Sequence, residues 1–256
     1  MISVLICTHN PNPVFFKEVL LALKQQDYPH EKWELVVVDN ASEQPVSNQF
    51  DFSWHPNTRL VIESNLGVAH ARYRACIEAK GTWFVYVDDD NVLSRNYLST
   101  AANIIEKRPY MGCFGGKQIG RFIDGEPAKE IKPYLSLIAV RDVPRARISN
   151  LYAWETTPAG AGMIIRASVV WEYVAQVNQN PIRKSLGRRG ASLMSSEDID
   201  IAYTALDMGY MSGLFPELTM EHIIPGKRLT LTYLLQLKFY NIYSSCMLDY
   251  IRFRYT

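Results

Sequence analysis

Cysteine is scarce and scattered: Cys7, Cys76, Cys113 and Cys246 are the four in 256 residues, with no CxxC or Cys/His arrangement among them. That pattern excludes a disulfide framework and leaves reduced, mostly buried thiols in a reducing compartment. Net charge is nearly absent as well. The balance is +1 from 27 basic and 26 acidic residues, so no global field points to nucleic acid. No apolar run reaches the roughly 20 residues that cross a bilayer. The first strand begins by residue 2 with no charged leader before it, so no signal peptide is expected. No repeat or low-complexity segment occurs, and a soluble cytoplasmic protein is the expectation. What is present is an ordinary globular composition, 48% hydrophobic and 21% charged, long enough for one large domain or a domain with an appendage.

The stretch around which the chain is organised is Thr82-Trp83-Phe84-Val85-Tyr86-Val87-Asp88-Asp89-Asp90-Asn91. Its aromatic and β-branched residues read as a buried strand that runs directly into three carboxylates. Adjacent anions repel one another unless a cation sits among them. In an extended run, Asp88 and Asp90 point to one side and Asp89 to the other. Oxygen ligands of this kind favour Mg²⁺ or Mn²⁺, ions commonly shared with substrate phosphates. An acidic turn in solvent is the plain alternative. The carboxyl end of a buried strand is, however, where open α/β sheets bind ligands.

The flanking pattern supplies such a sheet. Strands are expected at 2–7, 33–38 and 59–63, and helices at 14–26, 68–79 and 95–107. This alternation over residues 1–110 predicts a doubly wound, mostly parallel sheet flanked by helices. Thr8-His9-Asn10, Asp39-Asn40 and the Asp triplet then end their strands on one edge, where a nucleotide-sized ligand belongs. Beyond 110 the pattern changes. Met111 to Ile119 reads as a strand in which Gly115-Gly116 suggests a bulge or close backbone approach, and residues 120–157 give no assignable elements. Ala159-Gly160-Ala161-Gly162 leads into a strand, and a helix follows from Ser168 to Ala175. The basic loop Ile182-Arg183-Lys184-Ser185-Leu186-Gly187-Arg188-Arg189-Gly190 comes next. Ser195-Ser196-Glu197-Asp198 opens a helix that Gly209 ends, and Tyr210 to Phe215 reads as a short last strand. An aromatic, helical tail runs from Leu229 to Phe253, and the chain stops inside that pattern, which suggests a shortened sequence.

Taken in order, Thr8-His9-Asn10, Val38-Asp39-Asn40-Ala41-Ser42, Asn65-x-Gly67-x-x-x-Ala71-Arg72, Asp88-Asp89-Asp90, Gly160-Ala161-Gly162 and Glu197-Asp198 resemble the family 2 glycosyltransferases of GT-A fold. The resemblance covers residues 1–225. It implies a hexosyltransferase-type enzyme that moves a sugar, with inversion, from a UDP- or GDP-linked donor to a saccharide or lipid-linked saccharide acceptor. Such chemistry fits polysaccharide or glycoconjugate assembly. It implies a nucleotide half at 1–110, an acceptor half at 111–225 and a helical tail at 226–256. Thr8, Asn10, Asp39, Arg72, Asp88 and Asp89 fall at nucleotide-binding positions, with Asp39 at the base and Asp88 near the ribose. Asp90 and His222 fall at the positions that hold Mn²⁺ or Mg²⁺, although Asp89 is an alternative ligand. Asp198 matches the general base. Trp154, Gly160, Glu197 and Arg188 fall on the acceptor side. Tyr73 stands where the family often has Asn.

Each role has a competing structural reading. Ser195-x-x-Asp198 has the spacing of a capping box, and a helix N-terminus would keep Asp198 ionised while weakening it as a base. His222 is a lone histidine after the last expected strand, and His9 suits a turn. Arg183, Lys184, Arg188 and Arg189 suit either a lid over the donor diphosphate or a solvated loop. The tail, with Lys227, Arg228, Lys238, Arg252 and Arg254, suits packing on the domain, a homodimer contact or a peripheral contact with the cytoplasmic face of the inner membrane. Two other functions compete. A nucleotidyltransferase would want a glycine-rich loop after the first strand, where Thr8-His9-Asn10-Pro11-Asn12-Pro13 has no glycine. A non-catalytic sugar-binding protein would have lost Asp90 or Asp198, and both are present.

Overall fold

The structure is a computed structural model describing residues 1–188 and 192–253. Its strands are β1 (Ile2–Thr8), β2 (Trp33–Asp39), β3 (Thr58–Ile62), β4 (Trp83–Val87), β5 (Asn91–Leu93), β6 (Met111–Phe122), β7 (Arg147–Ser149), β8 (Ile164–Arg166) and β9 (Met211–Ile224). Its helices are α1 (Pro13–Lys24), α2 (Val46–Gln49), α3 (Val68–Glu78), α4 (Tyr97–Lys107), α5 (Ala167–Gln179), α6 (Glu197–Asp207) and α7 (Leu231–Phe253).

One sheet runs in the order β3-β2-β1-β4-β8-β6-β9-β5, with β7 added on β9. The half made of β3, β2, β1 and β4 is wholly parallel, as the strand–helix alternation predicts. Strand parity then decides which helices cover which face. Val4 and Ile6, Leu35 and Val37, and Val85 and Val87 pack with Phe16, Val19 and Leu23 of α1 and with Leu98 and Ala101 of α4. Leu5, Val36, Val38, Phe84 and Tyr86 face the other way. They meet Ala71, Ala75 and Cys76 of α3, Val169 and Val170 of α5, and Ile201 and Ala202 of α6. The small residues of α3 and α6 let those helices lie close to the sheet.

The second half departs from the sequence reading in ways that matter for the site. β9 is 14 residues long and reaches Ile224 instead of stopping at Phe215. It runs parallel to β6 with a register jump at Gly116/Lys117, where the partner changes from Phe215 to Thr219. Pro216-Glu217-Leu218 bulge out there, and a Cβ at Gly116 would overlap the carbonyl oxygen of Leu218. The glycine pair therefore marks a close backbone approach, as read. The three-residue strand β5 pairs antiparallel with the far end of β9, placing Asn91 opposite His222. His222 thus lies within a strand, one register step from the carboxylate turn.

The tail helix α7 packs on the domain. Leu234 and Leu237 join Ile131, Ile138 and Ile224, and Leu248 and Ile251 join Leu186. Its opposite face leaves Leu231, Leu235, Phe239, Ile242, Tyr243 and Tyr250 more than half exposed. No described helix is long and apolar enough to cross a membrane. Arg189, Gly190 and Arg254 lie outside the described residues.

Candidate active site

The strand ends converge as expected. Thr8 sits opposite Asp39 in the β1–β2 register, and β4 delivers the carboxylates beside β1. The extended run does not continue through Asp90. β4 ends at Val87, and Asp88 to Asn91 form a turn closed by a 3.1 Å bond from the Asn91 amide to the Asp88 carbonyl. This turn corrects the simple alternation and sends the three carboxylates to three neighbourhoods. Asp88 lies close enough to the Arg72 guanidinium to favour its charge. Asp89 accepts a hydrogen bond from the Thr8 hydroxyl, and burial pushes its carboxyl up to about 6 against that bond. Asp90 Oδ2 lies 3.4 Å from His222 Nε2 and 3.1 Å from Arg228 Nη1. Burial opposes its ionisation, yet His222 and Arg228 together hold it below the usual carboxylate range.

Asp39 and Asn10 shape the rim. The two Asp39 oxygens accept the amides of Ser42 and Val46, both at 2.9 Å. Asn10, at φ 48°, donates its backbone amide to the Ser42 hydroxyl and accepts the Glu43 amide on its side-chain oxygen. The His9 Nδ1–H donates to the Asn40 carbonyl at 2.8 Å. Asn40, absent from the sequence-based set of site residues, is the staple of this edge. Its side chain donates to the Glu63 and Asn65 carbonyls at 2.9 and 2.8 Å and accepts the Gly67 amide at 2.8 Å. Its place in the Asp39-Asn40-Ala41-Ser42 motif was the available signal.

A second group sits on the α3–α6 side of the sheet. Asp198 opens α6, and its Oδ2 accepts the Gly160 amide at 2.8 Å while Oδ1 accepts the Ile199 amide at 2.9 Å. A Cβ on Gly160 would press on Arg72 Nη2 and on Asp198 Cβ, each at 3.3 Å. Glycine therefore permits the approach of all three. Burial raises the Asp198 carboxyl above its ordinary value, although the Gly160 bond and the Arg72 charge oppose the shift. The shift is opposite in direction to the one expected from a helix N-terminus alone. The capping box does not form, because the Ser195 hydroxyl donates to Asn241 and that of Ser196 to Ser244 on α7.

Glu197, read from the sequence as an acceptor-side residue, faces Arg72. It is 7% exposed and its Oε2 lies 3.5 Å from Arg72 Nη1, so an inward-facing carboxylate holds Arg72. Arg72 also lies over the Tyr86 ring. It thus stands between the carboxylate turn and the start of α6 instead of reaching outward alone. The basic loop is divided. Arg183 Nη1 donates to both oxygens of Asp200 at 2.6 Å and is withdrawn from any lid, whereas Lys184 and Arg188 are exposed. Trp154 is 58% exposed, with the Arg141 guanidinium 5.2 Å from its ring centroid. Arg141 is pinned by the Thr157 and Trp154 carbonyls at 2.8 Å.

Among the described residues, no three His, Cys, Asp or Glu side chains gather into a metal-holding cluster. Asp90 and His222 form a pair. One carboxylate and one neutral imidazole, with further positions filled by substrate oxygens, fit Mn²⁺ or Mg²⁺.

The chain matches the profile of glycosyl transferase family 2 over residues 3–174. It is 26% identical over 237 residues to the uncharacterized protein y4gI of Sinorhizobium fredii, covering 73% of this chain and 26% of that one. It is 27% identical over 109 residues to an uncharacterized glycosyltransferase of Haemophilus influenzae, covering 43% and 36%. The chain thus spans well under half the length of either curated relative. Similar solved structures include S. aureus TarS in complex with UDP, at TM-score 0.60 and 18% identity over 88% of this chain and 61% of that one. GalNAc-T7 with UDP, GalNAc and Mn²⁺ superposes at TM-score 0.62 and 16% identity, over 88% and 43%. These likenesses are of fold, and the profile match extends through the strand edge built above. The chain belongs to glycosyl transferase family 2 and has the GT-A fold.

Proposed function

We propose that this chain transfers a sugar from a nucleoside-diphosphate donor to a hydroxyl of a saccharide or lipid-linked acceptor, with inversion and with Mn²⁺ or Mg²⁺. UDP is the favoured nucleotide, because TarS and GalNAc-T7 were both solved with it. The observation that carries the reading is Arg72. It lies beside Asp88 at the donor edge and pairs with Glu197 at the start of the helix bearing Asp198. A donor on the first and a base on the second therefore share one edge of the sheet.

In this reading Asn40, Asp39 and Asn10 hold the rim that receives the nucleoside. Thr8 orients Asp89 beneath it. Asp90 and His222 hold the divalent ion, which when bound neutralises charge on the departing diphosphate. Asp198 removes the proton from the acceptor hydroxyl as it attacks. Each of its oxygens already accepts one backbone amide, which fixes the carboxylate and leaves a lone pair for the hydroxyl. Trp154, backed by Arg141, offers its open face to an acceptor sugar ring, and Arg188 lies on the same acceptor-side segment. The exposed stripe of α7 supports a contact outside the domain, on a membrane surface or a second copy.

Calorimetric titration of UDP and GDP with and without Mn²⁺, on the wild type and on Asp90→Ala and Asp198→Asn, tests these assignments. The expected result is metal-dependent binding of one diphosphate that Asp90→Ala loses. Asp198→Asn should keep binding and lose about 10²–10⁴-fold in transfer. If no diphosphate binds with metal present, or if Asp198→Asn transfers at the wild-type rate, the reading is wrong.

A further inference from the structure

Arg228 occupies a position that the proposed reaction does not account for. It lies on the 3₁₀ turn Gly226–Leu229 between β9 and α7, fixed at its base by the Gly226 amide donating to Asp124 Oδ2 at 2.7 Å. Its Nη1 donates to Asp90 Oδ2 at 3.1 Å and meets His222 Nε2 at 3.0 Å. A guanidinium only donates. In the neutral tautomer with its hydrogen on Nδ1, the ring meets that donor with the Nε2 lone pair. Nδ1 is buried and has no hydrogen-bond partner among the described residues. That tautomer offers Nε2 to a cation, with the Asp90 carboxylate oxygen 3.4 Å away and both within reach of Arg228 Nη1. Arg228 supplies that cation from within the chain.

We propose that Arg228 is a built-in competitor of the divalent metal, and that it couples metal binding to nucleoside-diphosphate binding. The inference rests on the reading of Asp90 and His222 as metal ligands. A metal ion and the guanidinium require the same lone pairs, so one must leave when the other arrives. Arg228 is 19% exposed at its side chain, and its Nε lies 3.5 Å from the Tyr233 hydroxyl. Neither neighbour replaces the anion it would give up. A nucleoside diphosphate brings such an anion, and guanidinium groups bind phosphate oxygens strongly. Metal alone has to displace Arg228 from Asp90 and leaves it only the charge of Asp88, which it already feels, whereas metal with diphosphate provides a new partner. By linkage, each ligand then promotes the other.

The test is Mn²⁺ binding, followed by the electron paramagnetic resonance signal of free Mn²⁺, in the wild type, Arg228→Ala and Arg228→Gln. Each is titrated without nucleotide and with saturating UDP, and Asp90→Ala is the site control. Both Arg228 variants should bind Mn²⁺ alone about tenfold tighter than the wild type. The gain in Mn²⁺ affinity brought by UDP should shrink by a similar factor. A loosened fold weakens ligand binding, so tighter binding is not a by-product of damage, and the glutamine variant retains a donor at the site. Unchanged or weaker Mn²⁺ binding in both variants, with UDP still promoting Mn²⁺ in the wild type, overturns the role of Arg228 and leaves the metal pair standing. No Mn²⁺ binding in any chain, with or without UDP, overturns the metal reading and this inference with it.

Discussion

Replacing Arg252 by alanine should destabilise the protein by about 3 kcal/mol, because α7 uses this residue to neutralise a buried carboxylate on α6, the helix that carries Asp198. Asp200 is fully buried. It receives Arg183 Nη1 on both oxygens at 2.6 Å and Arg252 Nε on Oδ1 at 2.6 Å. Arg252 also donates to the Asp200 carbonyl at 2.6 Å, to the Thr204 hydroxyl at 3.1 Å and to Asp207 Oδ2 at 2.6 Å. Its guanidinium lies beside the Tyr203 and Tyr152 ring pair, 5.5 and 5.9 Å from their centroids. Breaking a buried ion pair from one side costs about 3–5 kcal/mol. Arg183 stays behind as a partner for Asp200, which puts the expected loss at the lower end of that range. For a chain of this size the midpoint of thermal unfolding should fall by roughly 6–12 °C. Urea unfolding of the variant gives the free energy directly. Arg121→Ala serves as the comparison. Arg121 pairs with Glu18 at 2.6 Å, but the two side chains are 35% and 42% exposed, so its loss should cost about 0–1 kcal/mol. Equal losses for the two variants would refute the argument that burial gives the Arg252 contacts their weight.

Two further outcomes concern the reaction. Burial raises the Asp198 carboxyl, and a base works only when ionised. At saturating donor the rate should therefore fall on acidification with a midpoint above the ordinary aspartate value of about 3.9. A profile that is flat to pH 4 would remove Asp198 as the titrating base. Trp154→Ala strips the exposed ring that Arg141 backs, so KM for the acceptor should rise about 5–30-fold, roughly 1–2 kcal/mol of apolar contact. Donor binding by calorimetry should stay unchanged, and a lower donor affinity would move Trp154 out of the acceptor subsite.

The donor edge was legible in the sequence because its strands are continuous apolar runs that end in polar turns. β1 and β2 are such runs, buried along almost their whole length. Hidden from the sequence was everything set by pairing between distant segments. β5 has three residues, too few for any periodicity. β9 is interrupted by Pro216-Glu217, which resembles a strand end until β6 is laid beside it. The position of His222 next to Asp90 follows from those two facts alone. Ser195 and Asp198 carried the spacing of a capping box, yet Asn241 and Ser244, more than 40 residues away, take both serine hydroxyls. The contact of Glu197 with Arg72 was likewise invisible, because the two residues are 125 positions apart and meet only where α3 and α6 lie on the same face of the sheet. Arg183 belonged to a basic loop by composition, and only the fold shows that Asp200 claims it.

The contact between Asp200 and Arg252 also orders events on the ribosome. The two residues are 52 positions apart. At about 5–20 residues per second of synthesis, Asp200 is made roughly 3 to 10 seconds before its second arginine exists. By then β1 to β4, with the helices between them, have long been complete. A growing chain therefore owns its donor edge first. The helix presenting Asp198 has its charges balanced only when the last turn of α7 arrives.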